Sequence, residues 1–198
     1  MKKGFTLAEV LITLVIIGVI AAMTIPTLMN STNQQEFRVG LKKAISAVNQ
    51  AVSLNYALEG KSIGDADLDS NAGVVQNLFQ KRMSVISTAT SDVAFATSSD
   101  VGSISTDNVF YTADGMRYAV NISSSASFDT DANEYYYGYL LIDVNGDKGP
   151  NTLTTDAKAP RDTYIATVYG NRVVAGKPGA TSGEGYAPKG VLFDKKTN

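Results

Sequence analysis

The sequence predicts an α+β protein, with one long N-terminal helix followed by an antiparallel sheet of about four strands. Three observations carry that prediction. No residue from Val10 to Met29 is charged, and the next charge after Glu9 is Glu36. From Gln34 to Leu58 apolar residues recur at three- and four-residue steps, the period of one helix face. From Asn108 onward the chain changes to short β-rich runs punctuated by Asp-Gly and Gly-Asn pairs, which form hairpin turns.

The uncharged run is long enough for a bilayer core, which takes about 20 helical residues. Its Val, Ile and Thr residues favour strand by propensity, but strands rarely exceed about 10 residues. A lone strand in lipid would also leave its backbone unpaired, whereas a helix satisfies its own. Residues 5–29 are therefore read as a membrane-inserted helix. Pro26 deletes one backbone hydrogen bond, so a kink or a loosened turn is expected over Ala22–Met29.

The helix should continue through 30–59 as an amphipathic segment. Phe37, Leu41, Ala44, Ile45, Val48, Ala51, Val52 and Leu58 form its core stripe, and Arg38, Lys42, Lys43 and Gln50 take other faces. Gly40 weakens the middle, and Gly60 is the expected stop. A continuous helix from Phe5 to Leu58 would be about 80 Å long at 1.5 Å per residue.

The head, 60–198, divides into a loop region over 60–107 and a sheet over 108–193. A second helix is expected around Asn71–Arg82, capped by Asp69 or Ser70, with Val74, Val75, Leu78 and Phe79 on one face. Ser84–Asp107 reads as an exposed polar loop with one short strand near Val93–Ala96. Asn108–Ala113 and Met116–Ile122 flank Asp114-Gly115 as a hairpin, and Thr163–Tyr169 and Arg172–Ala175 flank Gly170-Asn171 as another. Ser123–Asn133 reads as a polar connection, Tyr135–Val144 as a long strand and Val191–Phe193 as a short closing strand. The Tyr135–Tyr137 cluster could suggest a ligand platform, but alternating tyrosines are more often strand residues with one face packed and one wet.

Composition removes most enzymatic readings. Without His there is no Ser-His or Cys-His nucleophile and no His-ligated zinc. The chain has no G-x-S-x-G, no P-loop and no S-x-x-K. Without Cys it has neither a disulfide nor an acylated lipoprotein terminus. Seventeen basic residues against nineteen acidic ones argue against a nucleic-acid surface. Catalysis is not expected.

The N-terminus carries a combination of unusual features. Lys2 and Lys3 form a short basic leader, Gly4 precedes Phe5, Glu9 is the fifth residue counted from Phe5, and Pro26 interrupts the apolar run. A carboxylate in a spanning helix costs about 2.5–3.5 kcal/mol, so it usually has a partner. Such a partner would be a positive charge about one helical turn away.

The stretch GFTLAEVLITLVIIGVIAAMTIP resembles the signal of type IV prepilins and type II secretion pseudopilins. The resemblance implies a pilin-like fold and removal of leader 1–4 by a prepilin peptidase. It further implies N-methylation of Phe5, a bend at Pro26 and pairing of Glu9 with the amine of a neighbouring subunit. The missing cysteines depart from the C-terminal disulfide of many pilins. An ordinary secretory signal, cut near Ala21, is a weaker account because it rarely carries a glutamate so early. A plain anchor leaves Gly4, Glu9 and Pro26 without purpose.

One other constellation has chemical content. DVNGDKGPN places Asp143, Asn145 and Asp147 at alternating positions, with Asn151 and Asp156 downstream, and such oxygen ligands suit Ca²⁺. It is not an EF-hand, because the glycine is fourth in the loop and no glutamate is twelfth. The pattern resembles a loop recurrent in pseudopilin-like proteins, whose major members carry a C-terminal calcium site. The same residues also suit a plain turn.

The expected function is a structural subunit of a type IV pilus-like or type II secretion pseudopilus filament, requiring no cofactor apart from the Ca²⁺ in question. It would be stored as a single-pass protein in the bacterial cytoplasmic membrane, head outside the cytoplasm, then join a periplasmic or cell-surface filament. Partners would be identical or related pilin subunits, the prepilin peptidase and the filament assembly machinery. The rival reading is a monomeric membrane-anchored binding domain. A secreted hydrolase is disfavoured by the absent motifs.

Overall fold

The computed structural model describes residues 4–89, 108–149, 151 and 162–179. Lys2, Lys3, Asp156 and the strands expected near Val93–Ala96 and Val191–Phe193 lie outside the described residues. The chain forms two compact units, Met1–Glu36 and Phe37–Asn198.

Helix α1 runs from Leu7 to Glu59 with Pro26 inside it. In the first unit no turn is loosened over Ala22–Met29. The proline deletes one hydrogen bond, and the turns on either side keep theirs. Threonine hydroxyls in this apolar stretch fold back on the backbone: Thr13 donates to Val10 O at 2.9 Å and Thr24 to Ile20 O at 3.0 Å.

In the second unit α1 buries Leu41, Ala44, Val48, Ala51 and Val52, with Phe37 and Ile45 partly covered. Leu58, expected in the stripe, is 63% exposed. It shares a face with Ala51 two turns earlier, but the last turn overruns the core. Buried Asn55 closes the stripe instead, and its amide donates to Lys61 O at 3.2 Å. Gly60 ends the helix at φ 67° with its N–H on Tyr56 O, the left-handed cap that glycine adopts freely.

A second helical segment, α2, joins Asn71–Gly73 to Gln80–Arg82 through a π-helical centre, Val74–Phe79. Ser70 caps it, its Oγ accepting from Gly73 N at 3.2 Å. The expected face of Val74, Val75, Leu78 and Phe79 is buried.

Among the described residues six strands follow rather than about four. They are β1 (Val85–Thr88), β2 (Val109–Thr112), β3 (Arg117–Asp129), β4 (Glu134–Asp143), β5 (Thr163–Tyr169) and β6 (Val173–Ala175), paired antiparallel in chain order. β1 falls inside the expected loop. β3 is also longer than expected, because the serine-rich stretch read as a connection stays paired to β4 through Ser127–Asp129. Polarity suggested a loop there, but an exposed strand end can be polar and still complete its ladder.

The β3–β4 register shifts between Ile122 and Ser127. Asn71 Oδ1 accepts the Ile122 N–H at 2.5 Å at this irregularity. Gly138 faces it with φ 149°, and a Cβ there would stand 2.2 Å from Asn121 O.

The main core lies between the sheet and both helices. Phe79, Phe110 and Tyr118 stack within it, with successive ring centroids 5.1 and 5.0 Å apart. Alternation along the strands sends Val109, Ala119, Leu141 and Ile165 to the opposite sheet face, where they form a second buried cluster with Ala89, Tyr111 and Tyr139 against it. Asn49 ties α1 to the edge strand β6, donating to Val173 O and accepting from Val173 N, each at 2.8 Å. The backbone of Gly40 admits Val144, whose Cβ would lie 3.1 Å from an added Cβ.

Candidate functional site

In the first unit the candidate site is the helix surface itself. Leu7–Pro26 is a 20-residue stretch of mean hydropathy 2.5, none of it buried. A continuous apolar surface of this extent marks a membrane or protein interface. Gly4 and Phe5 precede the helix in non-helical backbone, with Phe5 90% exposed.

Glu9 closes the start of α1. Its Oε2 accepts Thr6 N and Thr6 Oγ1, both at 2.8 Å, and its own N–H donates to Thr6 Oγ1 at 3.3 Å. This is a reciprocal capping box, in which two helix-end donors with no helical partner are satisfied. The participation of Thr6 was missed in the sequence, although T-x-x-E is the signal that announces it.

In the second unit the loop after β4 gathers oxygen atoms. Asp143 is fully buried, and its Oδ2 accepts from Arg117 at 2.8 Å while its Oδ1 accepts Asn145 N at 3.3 Å. Arg117, also buried, reaches Asp147 Oδ1 at 3.1 Å, and Tyr111 Oη donates to the same atom at 3.2 Å. Asp147 is thereby held by Arg117 and Tyr111, out at the surface. Burial pushes the Asp143 carboxyl up to about 6, against the lowering effect of Arg117.

Asn151 sits across this loop. One end of its side-chain amide lies 3.0 Å from Asp143 Oδ2 and 3.1 Å from the carbonyl oxygens of Gly146 and Lys148. With nitrogen in that place the amide donates to all three and closes the loop unaided. With oxygen there, four acceptors face one another with no hydrogen between them, and a cation would relieve them. Asn145 Oδ1 is buried with no hydrogen-bond partner, a cost that a metal bond would remove. In the oxygen orientation Asp143 Oδ2, Asn151 and the two carbonyls would be the oxygen donors offered to a hard cation. Among the described residues no three carboxylates converge on a metal position.

Asp162, absent from the sequence-based ligand set, is fully buried beside this loop and accepts Asn151 N at 2.8 Å. Nothing in its local sequence marks it; only the β4–β5 pairing of Asp143 with Thr163 brings it there.

The prokaryotic N-terminal methylation motif matches residues 1–25. Over 75 residues the chain is 40% identical to the competence protein ComGC of Bacillus subtilis (strain 168), a match covering 37% of this chain and 74% of that protein. No solved structure matches the chain. The exposed apolar helix, the signal at its start and this relative together show that the chain is a pilin-like structural subunit belonging to the type IV prepilin and pseudopilin family.

Proposed function

We propose that the protein is cut after Gly4 by a prepilin peptidase, N-methylated at Phe5 and assembled into a filament through α1. It waits in the cytoplasmic membrane with the head outside the cytoplasm. One observation carries this reading: the apolar surface over Leu7–Pro26 is wholly uncovered, while the buried core begins only at Leu41. Lipid covers that surface in storage, and like helices replace lipid after extraction. Pro26 bends the helix for this packing. The relative being a competence protein, competence is the first process in which to look for the filament.

Glu9 would exchange its capping role for a charge pair with the Phe5 amine of a neighbouring subunit. Two substitutions separate the roles. Glu9→Gln keeps a side chain able to close the capping box but removes the charge, whereas Glu9→Val removes both. Both variants should be processed normally, as read from the mass of the mature N-terminus, and both should yield at least tenfold fewer filaments. Normal filament yield from Glu9→Gln would reduce Glu9 to a helix cap.

The loop reading is calcium held by Asp143, Asn145 and Asn151, and the buried unpartnered oxygen of Asn145 supports it. The ion would fix the β4–β5 connection, in a chain without cysteines. Titration calorimetry with Ca²⁺ should show binding that Asp143→Ala abolishes. Absence of heat and of thermal stabilisation would leave Asn151 as the closing group.

A further inference from the structure

The tyrosine run of β4 is reorganised by the strands on either side of it. β4 shifts register against β5 between Tyr136 and Gly138, and β3 shifts against β4 between Ile122 and Ser127. At the second shift Ser123–Ala126 of β3 oppose Tyr137 alone. The bulge turns Tyr137 to the main core, its ring so close to Gly64 that an added Cβ there would stand 2.1 Å from it. Cross-strand partners share a sheet face, and the register opposes Asn121 to Tyr139, Ser127 to Tyr136, and Tyr136 to Tyr169. A regular strand would send Tyr136 and Tyr139 to opposite faces. Here they meet on the face of the second cluster, with ring centroids 5.8 Å and hydroxyls 3.5 Å apart.

A cavity of about 200 Å³ opens where the two irregularities meet, walled by Tyr136 and Tyr139 and rimmed by Asn121, Ser123, Ser125 and Ser127. The three serines are exposed. The backbone around it is fixed in advance: Asn71 holds the Ile122 N–H, Ser123 Oγ accepts Ser125 N at 3.2 Å, and Gly138 keeps φ 149°. Bulges are over-represented beside functional sites, where they re-aim side chains, and backbone in sparsely populated regions collects there too. No lining residue carries a charge. At this end of the sheet Arg172 pairs with Glu134 and lies over Tyr169, while Asp129 accepts from Tyr169.

We propose that this cavity binds one ring of a neutral saccharide. A pyranose presents an apolar C–H face, which suits a tyrosine ring, and a rim of hydroxyls, which suits serine hydroxyls and an amide. A cavity of about 150 Å³ accepts a benzene ring, so the volume suits a single sugar ring. A purely apolar ligand would strip water from the serines without replacing their hydrogen bonds. An anion, a nucleic-acid phosphate included, depends on Lys or Arg and finds neither in the lining. The site belongs to the head alone and is independent of the filament reading.

Saturation-transfer NMR on the full-length chain, in a detergent without a sugar headgroup, tests this with glucose, galactose, N-acetylglucosamine, cellobiose and chitobiose. At least one should take up saturation on its ring C–H protons, and Tyr136→Leu should cut that transfer at least tenfold. Ser125→Phe, at an exposed position, should block the cavity to the same extent while thermal unfolding stays cooperative. Tyr135→Leu, an exposed tyrosine outside the lining, should leave transfer unchanged. Stronger transfer to the dimers identifies a polymer as the source of the sugar, and equal transfer a free sugar. Absence of transfer from every sugar overturns the proposal, as does transfer that survives Ser125→Phe or is lost equally in Tyr135→Leu. Equal transfer to glucose phosphate or single-stranded DNA would overturn it too, since the cavity would then not select neutral sugars.

Discussion

Asp143 shows how one buried carboxylate sets the behaviour of a loop. An isolated charge at that depth would be costly, and Arg117 at 2.8 Å supplies only part of the compensation. Because burial pushes its carboxyl up to about 6, the folded protein binds this proton more tightly than the unfolded chain. Its linkage therefore adds stability as pH falls from above 6 toward 4. Asp114 and Asp129 are pushed up by burial, but hydrogen bonds outweigh it and hold them below their ordinary value. Their stabilisation is lost only at more acid pH, so the window from 6 to 4 belongs to Asp143. Thermal unfolding in chelator should accordingly show a higher Tm at pH 5 than at pH 7, a gain that Asp143→Asn removes. Saturating Ca²⁺ should remove the gain too, because the ion favours the ionised carboxylate. A Tm that falls between pH 7 and pH 5 in chelator would contradict this assignment.

Among the elements, the β3–β4 ladder depends most on one position. Gly138 combines φ 149° with a neighbouring carbonyl 2.2 Å from where a Cβ would stand. Alanine would have to adopt an unfavourable backbone region and displace β3 at its register shift. Gly138→Ala is expected to destabilise the head by about 3 kcal/mol or more, read as a lower urea midpoint with an unchanged slope. Gly115→Ala, also at positive φ but with open space around it, should cost only about 1 kcal/mol, the backbone penalty alone. Equal costs at the two sites would show that the close approach to Asn121 O carries no weight.

At the scale of the whole molecule, the two units answer to different surroundings. Every buried apolar residue among those described lies at Leu41 or beyond, within the second unit. Deleting residues 1–36 should therefore yield a water-soluble head whose Tm stays within about 3 °C of the full-length chain in detergent, since a shift of that size is about 1 kcal/mol for a domain of this length. Loss of cooperative unfolding in the truncated chain would show that the head needs its N-terminal helix to fold. The methylation motif lies wholly within the first unit, whereas the 75-residue match to the competence protein is longer than that unit.

What could be read from sequence and what could not divides along the range of the interactions. The apolar run and the Asp114-Gly115 hairpin were legible because their physics is local: helix length against lipid, a turn needing positive φ. Even the capping partner Thr6 lies only three residues away. The stripe from Leu41 to Val52 was legible for the same reason, whereas its end at Asn55 instead of Leu58 depended on how far the core reaches. Tertiary structure alone decided that Arg117 meets Asp143 and Asp147, that Asp162 stands beside Asn151, and that Asn49 holds Val173 across 124 residues of chain. It also decided that a run of serines continues as strand. Those outcomes depend on sheet pairing, in which a residue's partner is chosen by the fold and not by its neighbours in the chain.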